Sequence, residues 1–479
     1  RFQVQVLTPP LLKGAFVSPF LVCIISFWLN MPVVRSISGL RATTDDGSLN
    51  AQLISSYVKA FAKLLDFGRI VVGRDGRQGS EEIEKLVLSE LSNIGCEVVS
   101  LGIVPTPTVQ LYSELPEFSG GIAITASHNP QNWNGLKFIN SNGVFLDEQE
   151  NHQLWKIVDS NEIVHSRLSG KIITEDNAID FAINKILDIN IVKSKIQEIR
   201  KKEFKIAIDA VNASGSIAVP KLLKRFNCKT FELFCDGSGI FPHEPEPLPK
   251  NLTQLAEFVK LNKCDLGVAI DPDADRLVLV DNQGNCINEE FTIALAIDAV
   301  LRNSNRENNS IVVNLSSSSI SQWICNQYGA NLYRSPVGEI NVVKKMKETS
   351  SIIGGEGSGG VIFPQCHYGR DSLVGLALVL IEITDKNQSI SEIVSSFPTL
   401  YMKKEKFVYT GDFSSLVYKF KQVFSQGVFD EQDGLRIDFP NSSWLQIRKS
   451  NTEPIIRIIA ESISDSQTNE LIAAAKQLL

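Results

Sequence analysis

The sequence predicts an α/β protein built from several domains, on three observations. Short apolar runs rich in β-branched residues recur along the chain: Arg69-Ile-Val-Val-Gly73-Arg74-Asp75, Lys205-Ile-Ala-Ile-Asp209-Ala-Val-Asn212 and Ser310-Ile-Val-Val-Asn314-Leu-Ser316. Each run ends in a polar turn and leads into a helical stretch, and strands alternating with helices in this way form α/β layers. The chain has 479 residues, too many for a single core. From about Tyr401 the character changes: strands Ser443–Ile447 and Ile455–Ile459 accompany helical stretches Ser414–Gln426 and Asp465–Leu479. The expectation is three related α/β domains followed by a smaller C-terminal α+β domain.

Ala15 to Leu29 is apolar and follows Lys13, like the core of a signal peptide. It contains Pro19, is shorter than the ~20 residues of a spanning helix, and is followed by no small-x-small cleavage site. Met31 stands directly before the first sensible strand, Val33-Val-Arg-Ser-Ile37, so residues 1–30 are expected to lie outside the fold, as upstream translation or a targeting segment. Residues 31–168 form the first expected domain, 169–285 the second, 286–397 the third and 398–479 the fourth. Within the first, the apolar run Ile122-Ala-Ile-Thr-Ala ends in Ser127-His128-Asn129-Pro130, as a buried strand does when it opens into a cleft. Within the second, Phe241-Pro-His-Glu-Pro-Glu-Pro-Leu-Pro must be an extended loop. Leu266-Gly-Val-Ala-Ile270 reads as a buried strand that delivers the next residues to its end.

Composition narrows the function. Hydrophobic content of 43% and charged content of 21% fit an ordinary globular protein. The net charge of −7 argues against a nucleic-acid partner, which requires a broad basic surface. The eight cysteines show no CxxC spacing and no zinc pattern; several sit in apolar runs and read as core thiols of a reducing compartment. The expectation is a cytoplasmic monomer or homodimer with no membrane partner, organellar targeting through residues 1–30 remaining the alternative.

Four motifs carry chemistry. In Asp271-Pro-Asp273-Ala-Asp275-Arg276, spacing by two places the carboxylates on one side of an extended turn. Carboxylates this close repel unless a cation lies among them, and hard oxygen ligands suit Mg²⁺. An EF-hand would need glycine and glutamate where this chain has Arg276 and Asn282. A solvated acidic turn is the plainer alternative. Ser127 alone could cap a helix; beside a metal loop it can instead carry a phosphoryl group. His128 is a candidate acid or base, or a loop hydrogen bonder, and Lys137 a candidate charge stabiliser. Arg448, Ser450, Asn451, Thr452 and Arg457 combine guanidinium forks with hydroxyl and amide donors, a mix that suits a phosphate; a polar hairpin turn is the alternative. In Gly354-Gly-Glu356-Gly-Ser358-Gly-Gly360, Glu356 argues against an anion, and with Ser358 it suits sugar hydroxyls; a simple tight turn remains open.

Taken in order, these motifs resemble those of the α-D-phosphohexomutase family, which includes phosphoglucomutase, phosphomannomutase and phosphoglucosamine mutase. Thr125–Pro130 resembles its phosphoserine loop, Asp271–Arg276 its metal loop, Gly355–Gly359 its sugar-specificity loop and Arg448–Arg457 its phosphate-binding loop. Ser36-Ile-Ser-Gly39-Leu40-Arg41 resembles its early Gly-Ile-Arg-Gly, with Ala42 in place of the last glycine. The resemblance implies three similar α/β domains with mixed sheets and a smaller fourth domain, heart-shaped around a central cleft. It implies catalytic roles for Ser127, His128, Lys137, Arg41 and Arg276, and metal ligation by Ser127, Asp271, Asp273 and Asp275. It implies substrate binding by Glu356, Ser358, Glu339, Arg448, Ser450, Asn451, Thr452 and Arg457. The implied reaction interconverts hexose 6-phosphate and 1-phosphate with Mg²⁺ through phospho-Ser127 and a hexose 1,6-bisphosphate.

The chain departs from the family pattern at four positions. Ala274 stands where glycine is usual, alongside the replacement at Ala42. Gly360 and Glu339 stand where many relatives have histidine, and a carboxylate at 339 could favour an amino sugar, pointing to glucosamine 6-phosphate. Phosphomannomutase or phosphoglucomutase activity is the alternative. A serine phosphoenzyme hydrolase would lack a second phosphate clamp, and an inactive sugar-phosphate-binding protein would not need Ser127, the three aspartates and both arginines.

Overall fold

The computed structural model describes residues 33–160, 169–440, 442–449 and 455–479; the N-terminal extension expected over 1–30 lies outside them. Four sheets organise the described chain. The first contains β1 (Val33–Ser36), β2 (Gly39–Thr43), β3 (Ile70–Arg74), β4 (Val98–Ile103), β5 (Gly120–Ile124), β6 (Trp133–Asn140) and β7 (Ile172–Thr174). Its order is β1-β2-β6-β5-β3-β4-β7. β5, β3, β4 and β7 run parallel, and β6 returns antiparallel beside β5. β7 lies past residue 168, where the sequence reading ends the first domain, yet it pairs with β4 and forms the edge of this sheet.

The second sheet holds β8 (Lys205–Asp209), β9 (Lys229–Phe234), β10 (Leu266–Ile270) and β11 (Leu277–Val280), in the order β11-β10-β8-β9. The third holds β12 (Ser310–Asn314), β13 (Asn331–Ser335), β14 (Ile353–Glu356) and β15 (Gly360–Ile362), in the order β13-β12-β14-β15. Both repeat one design: three parallel strands, then an antiparallel return, β10–β11 and β14–β15. The three runs singled out in the sequence are β3, β8 and β12, each inside its sheet and buried over most of its length, which is why each reads as a continuous apolar run.

The functional loops occupy equivalent places in this design. The β5–β6 connection carries Ser127, the β10–β11 connection carries the three aspartates, and the β14–β15 turn carries Ser358, with Glu356 at the end of β14. A parallel set that ends in an antiparallel return leaves one tight turn at the carboxyl edge of its sheet, and that edge is where α/β proteins bind ligands.

The first three units share an apolar cluster that includes Val71, Val109, Ile208, Ile270, Ile311 and Ile353. Helix Ser372–Lys386 runs through it with every residue from Ser372 to Thr384 buried, and Asp371 caps the helix by accepting from the Leu373 and Val374 amides. The fourth sheet is wholly antiparallel: β16 (Tyr401–Val408), β17 (Val428–Asp430), β18 (Leu435–Asp438), β19 (Trp444–Lys449) and β20 (Ile455–Ser462), ordered β16-β20-β19-β18-β17. Helices Phe413–Val423 and Asp465–Gln477 accompany it, and residues of both belong to a core that the sheet does not share with the other units. It meets the third unit through polar contacts: Ser316 Oγ to Gln446 Oε1 at 2.6 Å, the Val337 amide to Asp433 Oδ2 at 3.0 Å, and the Ser319 amide to Glu461 Oε1 at 2.8 Å. Among the described residues no helix is long and apolar enough to cross a membrane.

Candidate active site

Ser127 is buried and adopts φ +51°, an uncommon backbone state for a residue with a Cβ. A network behind the loop holds it there. Its amide donates to Thr125 Oγ1 at 2.8 Å, and its carbonyl accepts from the Arg77 guanidinium. Arg77 also donates to the Trp133 carbonyl at 2.7 Å and is paired with Asp75 at 2.8 Å, both side chains fully buried. Asp75 in turn accepts from Thr125 Oγ1 at 2.6 Å. The sequence reading stopped at Asp75 as the end of a strand and did not identify Arg77; the available sign was a charged Asp-Gly-Arg sequence just past a fully apolar run.

The hydroxyl so fixed faces the metal loop: Ser127 Oγ lies 3.1 Å from Asp271 Oδ2 and 3.3 Å from His128 Nδ1. Asp271, Asp273 and Asp275 are all buried, with ligand oxygens within 4.8 Å of one another. Burial, then repulsion from Asp275 and Asp273, pushes Asp271 well above the ordinary carboxylate range. Burial also opposes the charge on Asp275, but Arg370, Lys137 and Arg276 outweigh it and hold that group below the usual range. Asp273 Oδ1 and Asp275 Oδ1 are buried oxygens without a hydrogen-bond partner. Orphaned anionic oxygens beside a carboxylate strained toward protonation are what a divalent cation would satisfy, so the residues fit a metal.

The loop is built to hold this crowding. The Thr106 amide and hydroxyl donate to Asp273, to its carbonyl at 2.9 Å and to Oδ2 at 3.0 Å. Ala274 takes φ +54°, the conformation for which glycine would be the easier residue; alanine there costs about 1 kcal/mol. Its carbonyl accepts from Ser372 Oγ at 2.7 Å and from the Ser372 amide at 3.3 Å, which anchors the turn to the start of the central helix.

The cations predicted from sequence surround this loop. Lys137 is buried on β6 and donates to Asp273 Oδ2 at 2.6 Å and Asp275 Oδ2 at 3.2 Å. Burial works against its charge, but the two aspartates prevail and raise its pKa. Arg276 Nε lies 3.9 Å from Asp271 and 3.8 Å from Asp275. Arg41 on β2 donates to Asn129 Oδ1 at 3.1 Å, and burial lowers its pKa. The Arg276 charge, then burial, then Arg41 hold His128 well below the usual histidine range. These surroundings favour the neutral imidazole.

The sugar-loop candidates converge on a residue not foreseen from sequence, Arg370. Glu356 Oε2 accepts from Arg370 Nη1 at 2.7 Å, and Glu356 Oε1 accepts from Asn314 Nδ2 at 2.8 Å and the Gly338 amide at 2.9 Å. Glu339 Oε2 accepts from Arg370 Nε at 3.0 Å and Oε1 from Gln110 Nε2 at 2.8 Å. Both oxygens of Glu339 thus have protein partners, and its pKa is raised by burial. Ser358, half-buried, lies in the turn. In the fourth unit Arg448 on β19 stands directly opposite Arg457 on β20. Directly opposed residues share a face, so the two guanidinium side chains rise from the same side of the sheet. Arg448 Nε also lies 3.3 Å from Asp433. Ser450, Asn451 and Thr452 lie outside the described residues.

Comparison with known proteins identifies the family. Residues 34–164, 183–284 and 288–401 match phosphoglucomutase/phosphomannomutase alpha/beta/alpha domains I, II and III, and residues 413–477 match its C-terminal domain. The chain belongs to the phosphoglucomutase/phosphomannomutase family. It is 33% identical to a phosphoglucomutase/phosphomannomutase of Thermococcus kodakarensis over 86% of this chain and 89% of that one. It is 31% identical to a phosphoglucosamine/phosphogalactosamine mutase of Sulfurisphaera tokodaii over 90% and 97%. Among solved structures, a phosphoglucomutase/phosphomannomutase family protein of Burkholderia thailandensis superposes with a TM-score of 0.80 at 25% identity, covering 93% of this chain and 98% of that one.

Proposed function

We propose that this chain is a phosphohexomutase, an isomerase that interconverts hexose 6-phosphates and hexose 1-phosphates by passing a phosphoryl group between Ser127 and the sugar. The observation that carries the reading is the approach of Ser127 Oγ to within 3.1 Å of a buried aspartate triplet that has two orphaned oxygens. Asp271, Asp273, Asp275 and the Ser127 oxygen would hold a divalent cation, Mg²⁺ by the hardness of the donors. Such an ion supplies positive charge at the transferring phosphoryl oxygens. Lys137, Arg276 and Arg41 add fixed cations around the same point. The neutral imidazole of His128 takes the proton from the attacking sugar hydroxyl as the phosphoryl group leaves Ser127. The resulting 1,6-bisphosphate turns over, and its other phosphoryl group returns to Ser127. Arg448 and Arg457 grip whichever phosphate is not reacting.

Glucosamine phosphate is the preferred sugar in this reading, supported by the naming of the Sulfurisphaera relative. Glu339 lends that preference no support, since both its oxygens already have partners. A cytoplasmic setting is supported by seven free cysteines among the described residues.

The test is turnover of glucosamine, glucose and mannose 6-phosphates with Mg²⁺ and a trace of bisphosphate, together with mass analysis of the isolated protein. Phosphate on Ser127, formation of a 1-phosphate, and loss of orders of magnitude in turnover for Ser127→Ala are expected. Release of inorganic phosphate at a comparable rate would instead make the chain a hydrolase, and near-normal turnover by Ser127→Ala would remove the nucleophile.

A further inference from the structure

We propose that Arg370 is a positioning residue for this reaction, and that Glu339 and Gly360 are a matched pair which holds it and makes room for it. The inference rests on the mutase reading and deepens it. One guanidinium contacts carboxylates from three loops: Asp275 Oδ2 at 2.6 Å, Glu356 Oε2 at 2.7 Å and Glu339 Oε2 at 3.0 Å. Gln110, from the helix Thr106–Ser113 of the first unit, secures the far oxygen of Glu339 at 2.8 Å. The second and third units therefore meet at Arg370 itself, and the first joins them through Glu339. A planar fork can serve three carboxylates in fixed directions, which an ammonium cannot do.

Gly360 explains how the fork fits. A Cβ at that position would fall on Arg370 Cδ, whose guanidinium is pinned and has no freedom to yield. A histidine at 360 would exclude Arg370 from its present place, and a histidine at 339 would leave the guanidinium without one of its three anions. The two departures read from the sequence as clues to the sugar are a single adjustment made for Arg370. Glu339 therefore serves this arginine and does not recognise a sugar amine. Arg370 aims the Glu356 carboxylate and steadies Asp275.

The experiment compares Glu339→Gln, Arg370→Lys and the double variant, using glucosamine 6-phosphate and glucose 6-phosphate well below each protein's melting midpoint. Each single variant should lower kcat/KM for both sugars by roughly 100-fold, the cost of misplacing a catalytic geometry by about 1 Å. The preference between the sugars should stay within twofold, and the double variant should be little worse than Arg370→Lys alone, because Glu339 acts through Arg370. Gly360→Ala should reproduce the same loss. A selective loss of the amino sugar by Glu339→Gln, or effects that multiply in the double variant, would overturn the proposal. So would near-normal turnover by Arg370→Lys, which would leave the contacts purely structural. Melting midpoints of the same four proteins separate the two levels of the argument. If the parent turns over neither sugar, the mutase reading fails and with it the role in the reaction; additive melting shifts defeat the pairing itself.

Discussion

Replacing Arg77 by methionine tests whether the Ser127 loop is held from behind. The guanidinium and Asp75 are a fully buried pair at 2.8 Å. Methionine fills most of the volume but leaves the carboxylate without its cation, and breaking a buried pair in this way costs about 3–5 kcal/mol. The carbonyls of Ser127 and Trp133 lose their donor as well. An unsatisfied buried acceptor adds about 1–3 kcal/mol. Asp75 keeps the Thr125 hydroxyl at 2.6 Å, so the low end of each range applies, and one pair with two acceptors sums to about 5 kcal/mol. The three α/β units share one apolar cluster and melt together, so about 1.3 °C is lost per kcal/mol and the midpoint should fall by about 6 °C in scanning calorimetry. Arg77→Lys keeps the charge but reaches fewer acceptors; it should melt closer to the parent while its turnover falls with the displaced serine. A shift below about 1 °C for Arg77→Met would refute the reasoning, because the network would then contribute no more than an exposed ion pair.

Three other outcomes follow from the same geometry. Asp273→Asn removes one orphaned anionic oxygen, and Mn²⁺ or Mg²⁺ binding measured by titration calorimetry should weaken by at least about tenfold; unchanged affinity would place the ion elsewhere. Gly357→Ala drives a Cβ into the Glu290 carboxylate that backs the sugar loop, an overpacking cost of about 1–3 kcal/mol, visible as a lower melting midpoint and a raised KM. Burial lifts Glu290 from 4.5 to about 7. A raised carboxyl contributes stability that is full below its unfolded pKa and is lost as pH climbs through the folded one. Between pH 5 and pH 8 Glu290→Gln should therefore gain roughly 2–3 kcal/mol relative to the parent, and a constant gap across that window would contradict the assignment.

The residues that were legible in the sequence are those whose chemistry is local. Asp271, Asp273 and Asp275 lie within one turn, and Ser127 directly follows a strand, so adjacency alone revealed them. The strands β3, β8, β10 and β12 were legible because burial on both faces leaves an uninterrupted apolar run. Arg370 was not legible, because its partners stand at 275, 339 and 356 and only the fold brings them together. Helix Ser372–Lys386 escaped notice for a related reason: it is apolar all round, so it shows none of the amphipathic periodicity by which a surface helix is recognised. Short β7 was equally invisible, since its three exposed residues join the first sheet only through pairing with β4.

The repeated design also explains where backbone strain has collected. Each of the three functional turns contains one residue at positive φ: Ser127 at +51°, Ala274 at +54° and Gly359 at +87°. Only the third is a glycine, and it has no choice, since a Cβ there would strike the Leu277 backbone of the neighbouring unit. At the other two the chain retains a side chain in a conformation that disfavours it, and in both cases bonds within the turn are joined by one from outside it, from Arg77 at Ser127 and from Ser372 at Ala274. A turn held by external donors keeps its shape when its own carboxylates or hydroxyl change charge during turnover. A turn held only by its own residues would relax as the charge moved. The strain at Ser127 and Ala274 is therefore a consequence of fixing reactive groups against one another across two units, with the central helix and the β3 edge as the rigid references.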